Sequence, residues 1–169
     1  MKRYTLIQSL HPNPAALYAA IIVSLLVWSC SDTSSTTSPI SDVPAAGGQW
    51  SVSAPTGNVQ PVTEEILATM ASAIQDEYHA EATYARLIAD FGEVWPFVNI
   101  IRAERRHAES IGLLFVHRGL EVPESKWNQS NVAAFSSVPE ACRAAAQAER
   151  DNIALYDRFL ELDLPADVR

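Results

Sequence analysis

Three segments of the chain repeat apolar residues every three or four positions. They cover residues 63–90, 96–118 and 137–162. This spacing places the repeated residues along one face of a helix. No segment alternates apolar and polar residues for long, so the sequence predicts an all-α domain over residues 62–169. Thr63 and Ser137 are predicted N-caps, and Gly92 is predicted to end the first helix.

Each of the three apolar stripes is interrupted at its centre by polar residues. The stripes are Leu67, Met70, Ile74, Glu77, Glu81, Tyr84, Ile88 and Phe91 in the first helix, Phe97, Ile100, Glu104, His107, Ile111 and Leu114 in the second, and Cys142, Ala145, Glu149, Asn152, Tyr156 and Phe159 in the third. A buried carboxylate costs several kcal/mol unless it is paired or bound to a metal. Several carboxylates at one depth also repel each other. A multivalent cation among them would remove that repulsion.

A second interpretation of these polar residues needs no metal. A Glu-x-x-His pair such as Glu104 and His107, in the stretch IRAERRHAES, is usually solvated or structural when it stands alone. The glutamates of the other two helices could pair with Arg86, Arg102 or Arg158 instead. Three aligned stripes favour the metal, because metal sites in helical bundles are built from inward-facing Glu and Glu-x-x-His groups.

The N-terminal third of the chain has the composition of a targeting segment followed by a tether. Residues 1–29 begin with basic residues and continue into an apolar run that is shorter than the roughly 20 residues of a membrane-spanning helix. The end of this run, VWSC, resembles a bacterial lipoprotein signal. That resemblance implies lipidation of Cys30 and a place in the bacterial cell envelope; an uncut anchor or a plain signal peptide are the alternatives. Residues 30–61 are rich in Ser, Thr, Pro and Gly and are predicted to be a flexible tether.

The charge of the chain argues against a nucleic-acid partner. The formal net charge is −8, and no basic patch is visible in the sequence. Binding to the phosphate backbone needs such a patch. We therefore expect no nucleic acid among the partners.

The first and third helices match each other in sequence. QDEYHAEATYARLI (75–88) aligns with QAERDNIALYDRFL (147–160), which pairs Glu77 with Glu149 and Tyr84 with Tyr156. A repeated helix pair would place a fourth helix, with its own ligand pair, after the third. We expect that helix to be truncated from this chain. The bundle would then be completed by a second copy, or the fold would be kept without a complete metal centre.

The quoted helices resemble the ferritin-like superfamily, and in particular the bacterial ferritin-like domain family DUF2202. The resemblance covers about residues 63–169 and rests on DEYHAEATY, FGEVWPFVNIIRAERRHA and AERDNIALYDRFL. It implies an antiparallel four-helix bundle, of which this chain holds three long helices. Rubrerythrin-type relatives share the first-helix glutamate with a tyrosine seven residues later, and the Glu-x-x-His of the second helix.

Carried over residue by residue, the resemblance implies a set of metal ligands and an activity. The implied ligands are Glu77, Glu104, His107 and Glu149, with Glu81, Tyr84, Asn152 and Tyr156 as secondary candidates. Such carboxylate-rich sites suit a di-iron or manganese centre better than zinc. In relatives the centre oxidises Fe(II) or reduces peroxide or oxygen, which implies a ferroxidase- or peroxidase-like oxidoreductase. The alternative is a metal-free helical interaction domain displayed on the membrane.

Overall fold

The structure is a computed structural model, and the part of the chain that it describes contains three helices. Residues 59–169 are described and contain no strand. The helices are α1 (Glu64–Phe91), α2 (Phe97–Val116) and α3 (Val138–Leu160). The prediction of an all-helical domain is confirmed, and each predicted helix end lies within two residues of the observed one. A four-helix arrangement stays a prediction.

The N-terminal predictions fall outside the described residues. They are the signal segment 1–29, the lipidated Cys30 and the tether up to residue 58. Within residues 59–169, none of the helices has the length and apolar character needed to cross a membrane.

The helix ends follow the predicted capping residues. The Thr63 hydroxyl accepts a hydrogen bond from the Ile66 backbone N–H at 3.2 Å, and Ser137 caps α3 in the same way through Glu140 N–H at 3.4 Å. The Glu140 carboxylate accepts a hydrogen bond from the backbone N–H of Ser136 at 2.9 Å. At the end of α1, Gly92 adopts a φ of 83°, a conformation that side chains with a Cβ rarely take.

The connection between α2 and α3 runs back along α1. The Gln75 side chain donates to the carbonyl of Glu124 at 2.8 Å and accepts from the backbone N–H of Lys126 at 3.2 Å. Further along α1, Arg86 donates to the carbonyl of Gln129 at 3.2 Å. The connection thus returns the chain to the C-terminal end of α1 before α3 begins. As a result α3 lies antiparallel to α1, and α1 packs more extensively on α2 than on α3.

Buried apolar residues form two separate clusters, one towards each end of the helices. One cluster joins the end of α1 to the starts of α2 and α3, with Leu87, Phe97 and Ala141 among its members. The other joins the start of α1 to the ends of α2 and α3, and it includes Met70 and Phe159. This arrangement confirms that each helix is apolar at both ends of its buried face.

A central polar layer separates the two apolar clusters. Glu77, Glu104 and Glu149, one from each helix, are the buried charged residues of the described part of the chain. Their exposed fractions are 1%, 4% and 9%. The prediction that carboxylates from all three helices lie at similar depth in the interior is confirmed for these three.

Candidate metal centre

Two helices bring three ligand-type side chains together in the central polar layer. Glu77 of α1 and Glu104 and His107 of α2 each offer one oxygen or nitrogen atom, and these atoms all lie within 4.8 Å of one another. His107 Nδ1 is 3.2 Å from Glu77 Oε2 and 3.6 Å from Glu104 Oε2. We call these residues the Glu-Glu-His cluster. A buried group of this composition could hold a metal ion.

Local helix geometry explains the convergence. Glu104 and His107 are three residues apart and therefore share one face of α2. Glu77 faces them from α1, which packs against α2 along most of its length. The two carboxylates are buried, whereas the His107 side chain is 44% exposed. The cluster is therefore closed on the protein side and open to solvent on the side of His107.

A tyrosine from α3 holds the second oxygen of Glu77. The Tyr156 hydroxyl donates a hydrogen bond of 2.6 Å to Glu77 Oε1, while Glu77 Oε2 faces His107. Burial beside the charged carboxylate raises the pKa of Tyr156, so the phenol keeps its proton and acts as a donor. Tyr156, a secondary candidate from the sequence, therefore fixes the carboxylate of Glu77 from the third helix.

The two carboxylates of the cluster have pKa values that are shifted in opposite directions. Burial alone would raise the pKa of Glu77, but hydrogen bonds from His107, Glu104 and Tyr156 outweigh it, and the pKa is lowered. Burial raises the pKa of Glu104 to about 8, and the nearby Glu77 and Glu149 charges add to the effect. Hydrogen bonds to Glu104 and Glu77 raise the pKa of His107 to about 10. Near pH 7 the cluster is therefore an ionised Glu77 beside a protonated Glu104 and a protonated His107.

Glu149 shares the central polar layer but is not part of the Glu-Glu-His cluster. Its carboxylate accepts a hydrogen bond from the Tyr84 hydroxyl at a long 3.4 Å. Burial raises the pKa of Glu149 to about 7, even though this hydrogen bond lowers it. Of the four ligands that the resemblance implies, the structure thus brings Glu77, Glu104 and His107 into one group and leaves Glu149 beside it.

Two secondary candidates have partners outside the cluster. Glu81 forms an ion pair of 2.6 Å with Arg105 of α2, and its side chain is 17% exposed. Asn152 donates a hydrogen bond of 2.6 Å to Asp76. Asp76 was not predicted, because it lies off the apolar stripe of α1. Burial raises its pKa against the opposing hydrogen bond from Asn152. Its position directly before Glu77 was the available signal.

The alternative in which arginines neutralise the buried glutamates is wrong for this structure. In residues 59–169, no arginine forms an ion pair with Glu77 or Glu149. Arg86, one of the expected partners, pairs with Asp90 at 2.6 Å on the same helix. Within residues 59–169, His107 is the basic residue that pairs with Glu77 and Glu104.

Comparison of the chain with models of protein families, with curated proteins and with solved structures gives no match.

Proposed function

We propose that the Glu-Glu-His cluster binds a transition-metal ion, iron or manganese, within a ferritin-like helical domain. The observation that carries this proposal is the convergence of two buried carboxylates and one imidazole nitrogen within 4.8 Å. Two buried carboxylates that close are costly to ionise together without a cation. Oxygen-rich donor sets with one imidazole suit iron or manganese, whereas structural zinc sites favour tetrahedral sets of nitrogen and sulfur.

The residues of the Glu-Glu-His cluster are suited to bind a metal ion that enters from solvent. Glu77 is already ionised and is fixed by Tyr156, so it is ready to bind a cation without a change in its protonation. Glu104 and His107 each carry a proton near pH 7 that an ion has to displace. His107 is half-exposed and provides the path by which an ion from solvent reaches the two buried carboxylates. Glu149 lies outside the group and is not among the proposed ligands.

The activity that follows from the resemblance is redox chemistry or iron handling. A bound iron or manganese ion supplies one-electron chemistry towards Fe(II), peroxide or oxygen. The chain supplies a buried carboxylate pair, a solvent-facing imidazole, the buried Tyr84 and the half-buried Tyr156, whose hydroxyls contact Glu149 and Glu77. The lipoprotein-type signal supports a location in the bacterial cell envelope, anchored through Cys30.

Metal content of the purified full chain tests this proposal. The protein is stripped with a chelator, loaded with Mn(II), or with Fe(II) without air, and freed of excess metal. We expect about one ion per chain, and loss of that ion in a Glu104→Ala/His107→Ala double variant. Glu109→Ala is the matched control, because Glu109 is an exposed acid on the same helix. An absence of metal from the folded wild-type protein would overturn the proposal.

A second function, that of a metal-free helical interaction domain, is favoured by one observation. The Glu-Glu-His cluster is internally neutralised, because protonated His107 lies beside ionised Glu77 and Glu104 keeps its proton near pH 7. A cluster of this kind needs no ion to be stable. The two functions differ in what metal does to unfolding: binding raises the unfolding temperature in the first and leaves it unchanged in the second.

A further inference from the structure

A cavity of about 480 Å³ lies between α1 and α3. Its volume falls within the range of small-molecule binding sites, roughly 300–1,000 Å³. The α3 wall is made of small residues, which leave the space open; they are Ala141, Ala144, Ala145 and Ala148. Leu87 of α1 and Phe135 of the connection close the same end. One end of the cavity is therefore an apolar slot.

The other end of the cavity is acidic and contains a buried carboxylate with few hydrogen-bond partners. Glu149 lines the cavity at 9% exposure, and the one hydrogen bond it accepts in the described structure is the 3.4 Å contact from Tyr84. Thr83 Oγ1 is buried and has no hydrogen-bond partner among the described residues. Thr83 lines the same cavity. The Glu149 carboxylate and the Thr83 hydroxyl can both accept further hydrogen bonds, which indicates a ligand that can donate them.

The charges around the cavity select the sign of that ligand. Three acidic residues line it, Asp76, Glu149 and Asp151, beside Glu104, which keeps its proton near pH 7. The basic groups on the lining are Arg158, which is exposed and forms no ion pair within residues 59–169, and the imidazole of His79. An anionic ligand would meet repulsion at this end. A neutral hydrocarbon would leave Glu149 buried without a counter-charge.

We propose that this cavity binds a small organic cation, with a primary ammonium or amidinium group at Glu149 and an apolar body along the alanine wall of α3. The ammonium group supplies the donors that Glu149 and Thr83 lack and offsets the acidic end. The apolar body fills the slot between Leu87 and Phe135. The site adjoins the Glu-Glu-His cluster through Glu104, which lines the cavity, but Glu149 is not one of the proposed metal ligands and ligand binding needs no metal.

Titration of the metal-free full chain with linear alkylammonium ions tests the proposal. Propyl-, butyl-, pentyl- and hexylammonium are titrated by calorimetry in the presence of a chelator. We expect affinity to rise about threefold to fourfold with each added methylene, since each buried methylene is worth about 0.8 kcal/mol. Hexanol and hexanoate, which match the hexyl body without the cation, are expected to bind at least about tenfold more weakly than hexylammonium.

Two variants assign the binding to the two ends of the cavity. Glu149→Gln keeps the shape of the side chain and removes its charge, so hexylammonium should lose its advantage over hexanol. Ala144→Leu fills the slot with a residue that favours helix, so the whole series should lose affinity. Ala154→Leu is the matched control, because Ala154 is an exposed position of α3 away from the cavity lining. This control should bind like the wild-type protein.

Several results would overturn the proposal. Equal binding of hexanoate or hexanol, or an unchanged preference in Glu149→Gln, would show that no cation is recognised. Loss of Mn(II) binding in Glu149→Gln would mean that the cation at this carboxylate is a metal. A wild-type dimer that Ala144→Leu converts to monomer would mean that a second copy covers the cavity. Metal content of the Glu104→Ala/His107→Ala variant is measured separately, so failure here is distinct from failure of the metal site.

Discussion

Replacement of Glu77 by glutamine is the perturbation for which the structure gives the sharpest expectation in the metal-free protein. Glu77 is 1% exposed, and its two oxygens accept hydrogen bonds from Tyr156 at 2.6 Å and from His107 at 3.2 Å. Glutamine keeps the size of the side chain and an oxygen for Tyr156. It removes the negative charge that balances the imidazolium, and its amide nitrogen cannot accept a proton from His107.

The magnitude follows from the two hydrogen bonds. A hydrogen bond to a charged group contributes about 1.5–3 kcal/mol and one between neutral groups about 0.5–1.5 kcal/mol. The loss of charge therefore costs about 1 kcal/mol for each bond. Two terms reduce the total: glutamine avoids burial of a charge, and His107, at 44% exposure, can turn to solvent. We expect Glu77→Gln to lower the free energy of unfolding by about 1–2 kcal/mol.

Urea unfolding of the full chain at pH 7 with a chelator measures this change. With a typical slope of about 1–3 kcal/mol per molar urea, the midpoint should fall by about 1 M. Glu109→Gln, an exposed substitution of the same type, should stay within about 0.5 kcal/mol of the wild-type protein. A Glu77→Gln variant as stable as the wild type, or more stable, would refute the view that an ionised Glu77 organises the metal-free cluster.

Further predictions concern protonation and the helix ends. Metal binding near pH 7 should release protons from Glu104 and His107, because their pKa values are raised to about 8 and about 10. The apparent Mn(II) affinity should therefore rise from pH 6 to pH 8. Calorimetry in buffers of different ionisation enthalpy measures the proton release, and an affinity independent of pH would contradict the prediction. Gly92→Ala should cost about 1–2 kcal/mol in urea unfolding, because a Cβ at a φ of 83° is strained although it meets no atom within 4 Å. Ser137→Ala should cost about 1 kcal/mol by the same assay, since it removes the hydroxyl that caps α3; an unchanged midpoint would mean that the cap is dispensable.

The helices and their polar centres could be predicted because both depend on local spacing. Glu77, Glu104 and Glu149 sit where the apolar repeat of each helix is interrupted, and all three are buried. The helix ends could be predicted for the same reason, because capping residues lie next to the ends that they stabilise. The convergence of Glu77 with His107 also followed, since two helices joined by a short turn pack side by side.

Spacing alone could not predict which residues beside the buried stripe of α1 are themselves buried. The residues three and four positions after a buried one lie on opposite sides of it, and both can be apolar. Next to Tyr84 the structure buries Leu87, whereas the predicted Ile88 is half-buried. Glu81 lies on that same less buried side, which is why it pairs with Arg105 instead of joining the cluster. Which side is buried depends on where α3 packs, and that is a property of the whole fold.

The path of the connection between α2 and α3 has a consequence for chain length. From Gln75 to Arg86 the helix rises about 16.5 Å, given 1.5 Å per residue. Five extended residues between Glu124 and Gln129 span at most about 16.5–18 Å, and the side chains of Gln75 and Arg86 bridge the remaining gap to the helix. A single deletion between Glu124 and Gln129 would shorten that reach to about 13–14 Å. The Gln75 and Arg86 side chains would then have to make up the difference, whereas an insertion could loop outwards into solvent, so this segment tolerates growth better than loss.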